Sequence, residues 1–265
     1  LTDRRLTILI HGETGAGKSW LANSAPGPRL VLDAEGRADY LHDTLADPSG
    51  KTGQRIVYWN PRDDIPAESS DPSVTTVVDV QEFSDVAMPY QWLASGKHPF
   101  NSVVIDSLTE VQQRLIDKVA GTSQLQHNGW GEVLRELDAY IRKFRDLRKN
   151  KVRPLWAVVI VAGSQEKDGK QRPLVQGQIA TRAPFHFDVV GYMGKRFTPE
   201  GGKERYLVID GFDAALVAKD NTHYLTDHYG DTIINPSLSA MLAVLNTPEQ
   251  DASAPANTTG ETPNG

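Results

Sequence analysis

Residues 12–19 read Gly-Glu-Thr-Gly-Ala-Gly-Lys-Ser and follow the aliphatic run Leu-Thr-Ile-Leu-Ile-His at 6–11. Gly12, Gly15 and Gly17 free the backbone to wrap, so that N–H groups converge on an anion with little side-chain bulk in the way. Glu13, Thr14 and Ala16 stand between them as further backbone donors. Lys18 extends a cation towards the outer phosphates of a nucleotide, and the Ser19 hydroxyl stands where it would ligate Mg²⁺. The run matches G-x-x-x-x-G-K-[ST], with a strand before it and a helix expected from about Gly17, its positive end towards the anion. The chemistry this pattern serves is triphosphate binding, with ATP and Mg²⁺ as the expected pair.

Two further carboxylates complete such a site. Asp106 ends the aliphatic run Ser-Val-Val-Ile-Asp at 102–106, where it would hold Mg²⁺ through the ion's water shell, opposite Ser19. The position after it is Ser107, not the glutamate that AAA+ ATPases usually carry there to orient water. The base must come from elsewhere. Glu35, at the end of Arg-Leu-Val-Leu-Asp-Ala-Glu (29–35), is the first candidate. Glu110 competes with it and is expected on a solvated helix.

These groups need elements to hold them. Aliphatic runs recur at 29–35, 55–60, 102–107, 155–163 and 205–212. Between them, Val133, Leu137, Tyr140, Ile141, Phe144 and Leu147 repeat at helical spacing and predict a helix over 130–150. Strands alternating with helices predict an α/β fold with a mostly parallel central sheet and helices on both faces. Residues 61–75, rich in Pro, Asp and Ser, read as an exposed loop. From Thr247 the chain offers little to bury, so the division expected is one domain over 1–246 and a disordered tail over 247–265.

Composition narrows the setting. The chain has 265 residues, a formal net charge of −6 and no cysteine, which excludes disulfides and thiolate zinc sites. The charge argues against nucleic acid coating the whole surface and leaves room for a local basic groove. No apolar run approaches the roughly 20 residues a membrane helix needs, so a cytoplasmic protein without a membrane partner is expected.

The stretches Gly-Glu-Thr-Gly-Ala-Gly-Lys-Ser, Leu-Val-Leu-Asp-Ala-Glu-Gly-Arg-Ala-Asp-Tyr and Ser-Val-Val-Ile-Asp-Ser, in that order, resemble the core of RecA-type recombinases. The resemblance is nearest to the phage-encoded RecA-like single-strand annealing ATPases, and it runs over residues 5–242. It implies a RecA-like P-loop NTPase that hydrolyses ATP with Mg²⁺ under stimulation by single-stranded DNA, in recombination or strand annealing. It also implies a homo-oligomer, ring or filament, with recombination or replication proteins as further partners. By this resemblance Glu35 takes the place of the catalytic glutamate and Tyr40 that of an aromatic stacking on adenine. Gln165, after the fourth strand, takes that of a γ-phosphate sensor. Lys219 and Asp220 match a segment whose basic residues reach a neighbouring subunit's nucleotide, whereas Asn221 departs from the arginine common there.

The segment 163–187 reads as a mobile loop in which Lys167, Lys170, Arg172 and Arg182 would track DNA phosphates. Phe185 and Phe187 would stack on bases or belong to the core. The basic stretch 142–153 would extend that path or complement a helix C-terminus. The same phosphate site would also serve a helicase-like motor or loader, a small-acceptor phosphotransferase, or a nucleotide switch without turnover.

Overall fold

The computed structural model describes residues 3–38, 55–66, 70–121, 125–211 and 215–247. Strands β1 (Leu6–His11), β2 (Arg29–Asp33), β5 (Ser102–Asp106) and β6 (Ala157–Ala162) are buried at every residue. Continuous aliphatic runs of this kind are what a parallel strand covered on both faces requires. With β3 (Arg55–Trp59), β4 (Val74–Asp79) and β9 (Val189–Phe197) they form a parallel array in the order β9-β1-β6-β5-β2-β4-β3. Beyond β9 the sheet turns antiparallel through β10 (Lys203–Val208) and β12 (Thr232–Ile234), and the short β11 (Lys219–Asp220) also pairs with β9.

Register matters more than order here. Asp33 pairs with Asp106, Asp106 with Val161, and His11 with Ala162, so the four motif-bearing strands end in one row. β1 is where the winding reverses, with β6, β5 and β2 on one side and β9 on the other. Open α/β sheets bind ligands beyond the carboxyl ends of the strands at such a reversal.

Alternation along the strands feeds two cores. Leu9, Leu32, Ile105 and Ile160 face α2 (Ala87–Ser95), α3 (Leu108–Ala120) and α4 (His127–Asp146). Ile8, Ile10, Val31 and Val104 face α1 (Lys18–Ala22), α6 (Tyr224–Tyr229) and α7 (Leu238–Asn246). The helical repeat expected over 130–150 is α4, with Val133, Leu137, Tyr140, Ile141 and Phe144 all buried. α7 carries the fold to Asn246, whose side chain bonds both the N–H and the carbonyl of Arg4.

Two expectations are corrected. The loop expected over 61–75 gives way at Val74 to β4, whose β-branched residues pair between β2 and β3. The mobile loop expected over 163–187 is instead a folded segment. It comprises a hairpin of β7 (Ser164–Lys167) and β8 (Lys170–Pro173), the short α5 (Ile179–Arg182), and a 3₁₀ turn at Ala183–His186. Within it Phe187 is core at 2% exposure, while Phe185 stands 78% exposed. The helix after the phosphate loop has five residues, so its dipole is that of little more than one turn. The expected tail beyond Thr247 lies outside the described residues. Among those described, no helix is long and apolar enough to cross a membrane.

Gly12, directly after β1, runs against β9 so closely that a Cβ there would overlap the Met193 carbonyl oxygen. Gly12→Ala is expected to destabilise the fold by about 1–3 kcal/mol, as overpacking at a rigid backbone does. Urea unfolding reads this directly, and a variant as stable as the parent would show that β9 is free to move.

Candidate active site

The loop after β1 folds as its glycines allow. Gly15 and Gly17 take positive φ of 75° and 101°, a conformation side chains disfavour, and the Ala16 N–H closes a turn on the Glu13 carbonyl at 3.2 Å. The Lys18 ammonium bridges the Gly12 and Glu13 carbonyls, both at 2.9 Å. Its pKa is lowered, first by burial, with Glu35 and Asp106 opposing through their charge. The loop forms one wall of a cleft of about 600 Å³ that also takes in Thr14, Ser19, Trp20, Asp33, Glu35, Asp106 and Gly163.

The opposite wall is built by the β2–β5 pairing. Asp33 and Asp106 sit side by side, yet their surroundings give them different work. The Asp33 carboxylate accepts the N–H groups of Glu35, Gly36 and Ala38 at 3.1, 3.0 and 2.8 Å, which closes the turn after β2 and aims Glu35 at the cleft. Burial nevertheless raises its pKa against those bonds. Asp106 is 5% exposed; it accepts the Ser19 hydroxyl through one oxygen, while Oδ1 is buried with no partner. Burial lifts its pKa to about 6, with Ser19 pulling it down and the charges of Glu35 and Asp33 pushing it up. A bare, buried carboxylate oxygen beside a serine hydroxyl is a donor set suited to Mg²⁺, directly or through a water of its shell. Ser19 and Asp106 therefore fit the metal assigned to them, and Asp33, its oxygens occupied, does not.

Behind the loop, His11 ties the site to two other segments. Its Nε2 lies 2.7 Å from the Val217 carbonyl and its Nδ1 3.2 Å from the Ser164 hydroxyl. Burial drops its pKa to about 4, so the ring is neutral near pH 7. The carbonyl can only accept, hence Nε2 carries the proton, and the Ser164 hydroxyl beside Nδ1 also lies 3.0 Å from the Gln171 amide oxygen.

The remaining candidates separate by location. Glu35 lines the cleft, with Arg37 at 3.8 Å, and Glu110 lines it too rather than standing on a purely solvated face. Gln165 lies beyond β6, but its amide donates to the Pro173 and Val175 carbonyls at 3.3 Å each, within its own segment. Lys219, half-buried on β11, lies off the cleft; its pKa is lowered by burial, with Asp188 opposing. Tyr40 falls outside the described residues. Lys167 and Lys170 are exposed opposite each other beside the hairpin turn, and Arg182 is exposed. Arg172 instead folds back on the Lys167 carbonyl at 3.1 Å and Asp168 at 3.7 Å. Three of the seven basic residues in the 142–153 stretch are held in ion pairs: Arg142 with Asp138, Arg145 with Asp146, and Arg148 with Asp188.

Several residues of the site carried no signal in the sequence. Thr109 clamps the rim, its hydroxyl donating to the Leu174 carbonyl at 2.9 Å and accepting the Gly163 N–H at 3.0 Å. Lys195 and Arg205, opposite each other on β9 and β10, lie along the outside of the loop at Gly15 and Gly17, with Arg205 over the Trp20 ring. Arg114 lines the cleft from α3.

A strand, a wrapped glycine loop with its lysine, and a buried aspartate facing the serine make a P-loop nucleotide site, and residues 4–221 match the model of one family of such proteins, AAA_24. The chain belongs to the AAA_24 family of AAA domains. This AAA domain is an α/β P-loop ATPase with a mostly parallel central sheet. Solved structures similar to it include a prototypical ATPase from the type III secretion system of pathogenic bacteria. The two are 12% identical, the match covers 74% of this chain and 52% of that one, and the TM-score is 0.43. The flagellar accessory protein FlaH from Methanocaldococcus jannaschii is 11% identical over 88% of this chain and 87% of its own, with a TM-score of 0.36. No match is found among curated proteins.

The raised pKa of Asp106 makes a stability prediction. A carboxyl that holds its proton more tightly folded than unfolded costs the metal-free fold stability above the folded pKa, and the cost fades as pH falls from about 6 towards 4. Asp106→Asn removes that charge. It is expected to stabilise the metal-free protein at pH 8 by on the order of 3 kcal/mol and to add little at pH 4. Urea titrations at the two pH values check this, and an equal effect at both would contradict the burial argument.

Proposed function

We propose that this AAA domain hydrolyses ATP with Mg²⁺ and couples the hydrolysis to single-stranded DNA, acting in phage recombination or strand annealing. The cleft supplies the parts for hydrolysis. Backbone donors of residues 13–19 and the Lys18 ammonium hold the phosphates, and Ser19 and Asp106 would hold Mg²⁺. The bound ion would offset charge on the outer phosphate oxygens. Glu35, aimed by Asp33, orients a water beside the terminal phosphate and takes its proton.

The observation that carries the coupling is the β7–β8 hairpin. It leaves β6 at the cleft, where Gly163 is part of the lining, and its first residue, Ser164, bonds His11 at the root of the phosphate loop. At its tip Lys167 and Lys170 face each other directly, a like-charged pair that an anion relieves. Arg182 and the exposed ring of Phe185 follow in the same segment, giving the cation-and-aromatic combination that suits single strands. Lys219 lies off its own chain's cleft, which is compatible with service to a neighbouring copy's nucleotide in a homo-oligomer built as a ring or filament. The three motifs that resemble phage annealing ATPases support the same reading.

Turnover measured with and without single-stranded DNA tests it. DNA is expected to raise the rate, and Glu35→Gln to lower it by at least about 100-fold while nucleotide still binds. Replacing Lys167 and Lys170 together by alanine is expected to weaken DNA binding and to flatten its salt dependence by about one to two units of log–log slope. A rate and an affinity indifferent to DNA and to the double variant would remove DNA from the function.

A further inference from the structure

Arg114 has no part in the site as derived so far, yet it stands in it. α3 starts directly after Asp106, with Ser107 capping it by accepting the Glu110 N–H. Leu108, Val111, Gln112 and Leu115 turn into the core, which leaves Glu110 and Arg114, one helical turn apart, on the side that lines the cleft with Lys18, Glu35 and Asp106. Seven residues at about 1.5 Å each put Arg114 about 10 Å along the helix from Ser107, still within the lining of the cleft.

Its bonding is incomplete in a specific way. The Arg114 Nε is buried and has no hydrogen-bond partner, and among the described residues Arg114 makes no ion pair, even with Glu110 four positions earlier. Arg37, the other arginine of the cleft, is different: its side chain is 72% exposed and already lies beside Glu35. A buried guanidinium N–H without an acceptor is costly, and a phosphate oxygen is the acceptor whose geometry matches a guanidinium edge. The four carboxylates lining the cleft do not serve it, since Asp33 is occupied by backbone N–H groups and no ion pair forms with the others.

We infer that Arg114 is a phosphate-reading cation of this same site, bonding in cis to the terminal phosphate of a nucleoside triphosphate. The inference rests on the cleft being the ATP site. It makes Arg114 the group that separates triphosphate from diphosphate, because Lys18 and the loop N–H groups hold the inner phosphates, which leaves the terminal phosphate for a cation of the cleft outside the loop. A planar guanidinium gives two parallel donors there, which a lysine in its place would not.

The test compares two ligands on the purified chain. Mg²⁺ complexes of ADP and of a non-hydrolysable ATP analogue are titrated calorimetrically into wild type, Arg114→Gln and Arg114→Lys, and hydrolysis and thermal unfolding are followed alongside. In Arg114→Gln, ADP affinity and melting temperature are expected to hold, while affinity for the analogue falls about tenfold or more and turnover falls with it. Arg114→Lys is expected to recover part of the loss. Equal weakening of both ligands would assign Arg114 a structural role and overturn the inference, as would unchanged affinity for both. If wild type binds neither nucleotide, the reading of the cleft itself falls. If it binds both and Arg114→Gln cannot be told from it, only the role of Arg114 does.

Discussion

The site depends on one constraint, the in-register parallel pairing of β2, β5, β6 and β1. Four strands buried on both faces end within one residue of each other, and that common edge sets Asp33, Asp106 and His11 in one row beneath the glycine loop. Shifting β2 by one residue against β5 would turn Asp33 and Asp106 to opposite faces. The same burial that makes the strands stable also makes the row chemically unusual. Asp106 is raised to about 6 and keeps an oxygen without a partner, so the fold carries an electrostatic cost that a cation relieves.

That cost explains how the neighbouring groups divide the work. Asp33 shares the row with Asp106, but three backbone N–H groups occupy it and convert it into the brace of the turn that presents Glu35. His11, held neutral by burial, does the equivalent on the other side. It joins the loop root to Ser164 and, through the Val217 carbonyl, to the segment that leads into Lys219. One buried ring thus joins the root of the phosphate loop both to the hairpin and to the segment that leads into β11.

What the sequence made legible is what is encoded locally. The phosphate loop, the aliphatic strands, α4 and the strand-end Asp106 each announce themselves within a few residues, by glycine spacing, β-branched runs or helical periodicity. β4 went unread because the Pro- and Asp-rich stretch before it outweighed a short Val-Thr-Thr-Val-Val run. The hairpin was mistaken for a loose loop because polar residues on short strands leave no hydrophobic alternation to detect. Arg114, Lys195 and Arg205 carry no sign of the site in the sequence, since which face of a helix or hairpin meets the cleft is decided by packing between distant elements. Arg172 shows the reverse: a cation that reads as free in sequence is tied down by its own turn.

The position of the metal tests the central claim most directly. A crystal structure with Mn²⁺ and a non-hydrolysable ATP analogue, phased on the metal's anomalous signal, would locate ion and phosphates together. The expected peak lies between the Ser19 hydroxyl and the free oxygen of Asp106, with the terminal phosphate facing Glu35. A metal or triphosphate bound away from the row of strand ends would contradict it.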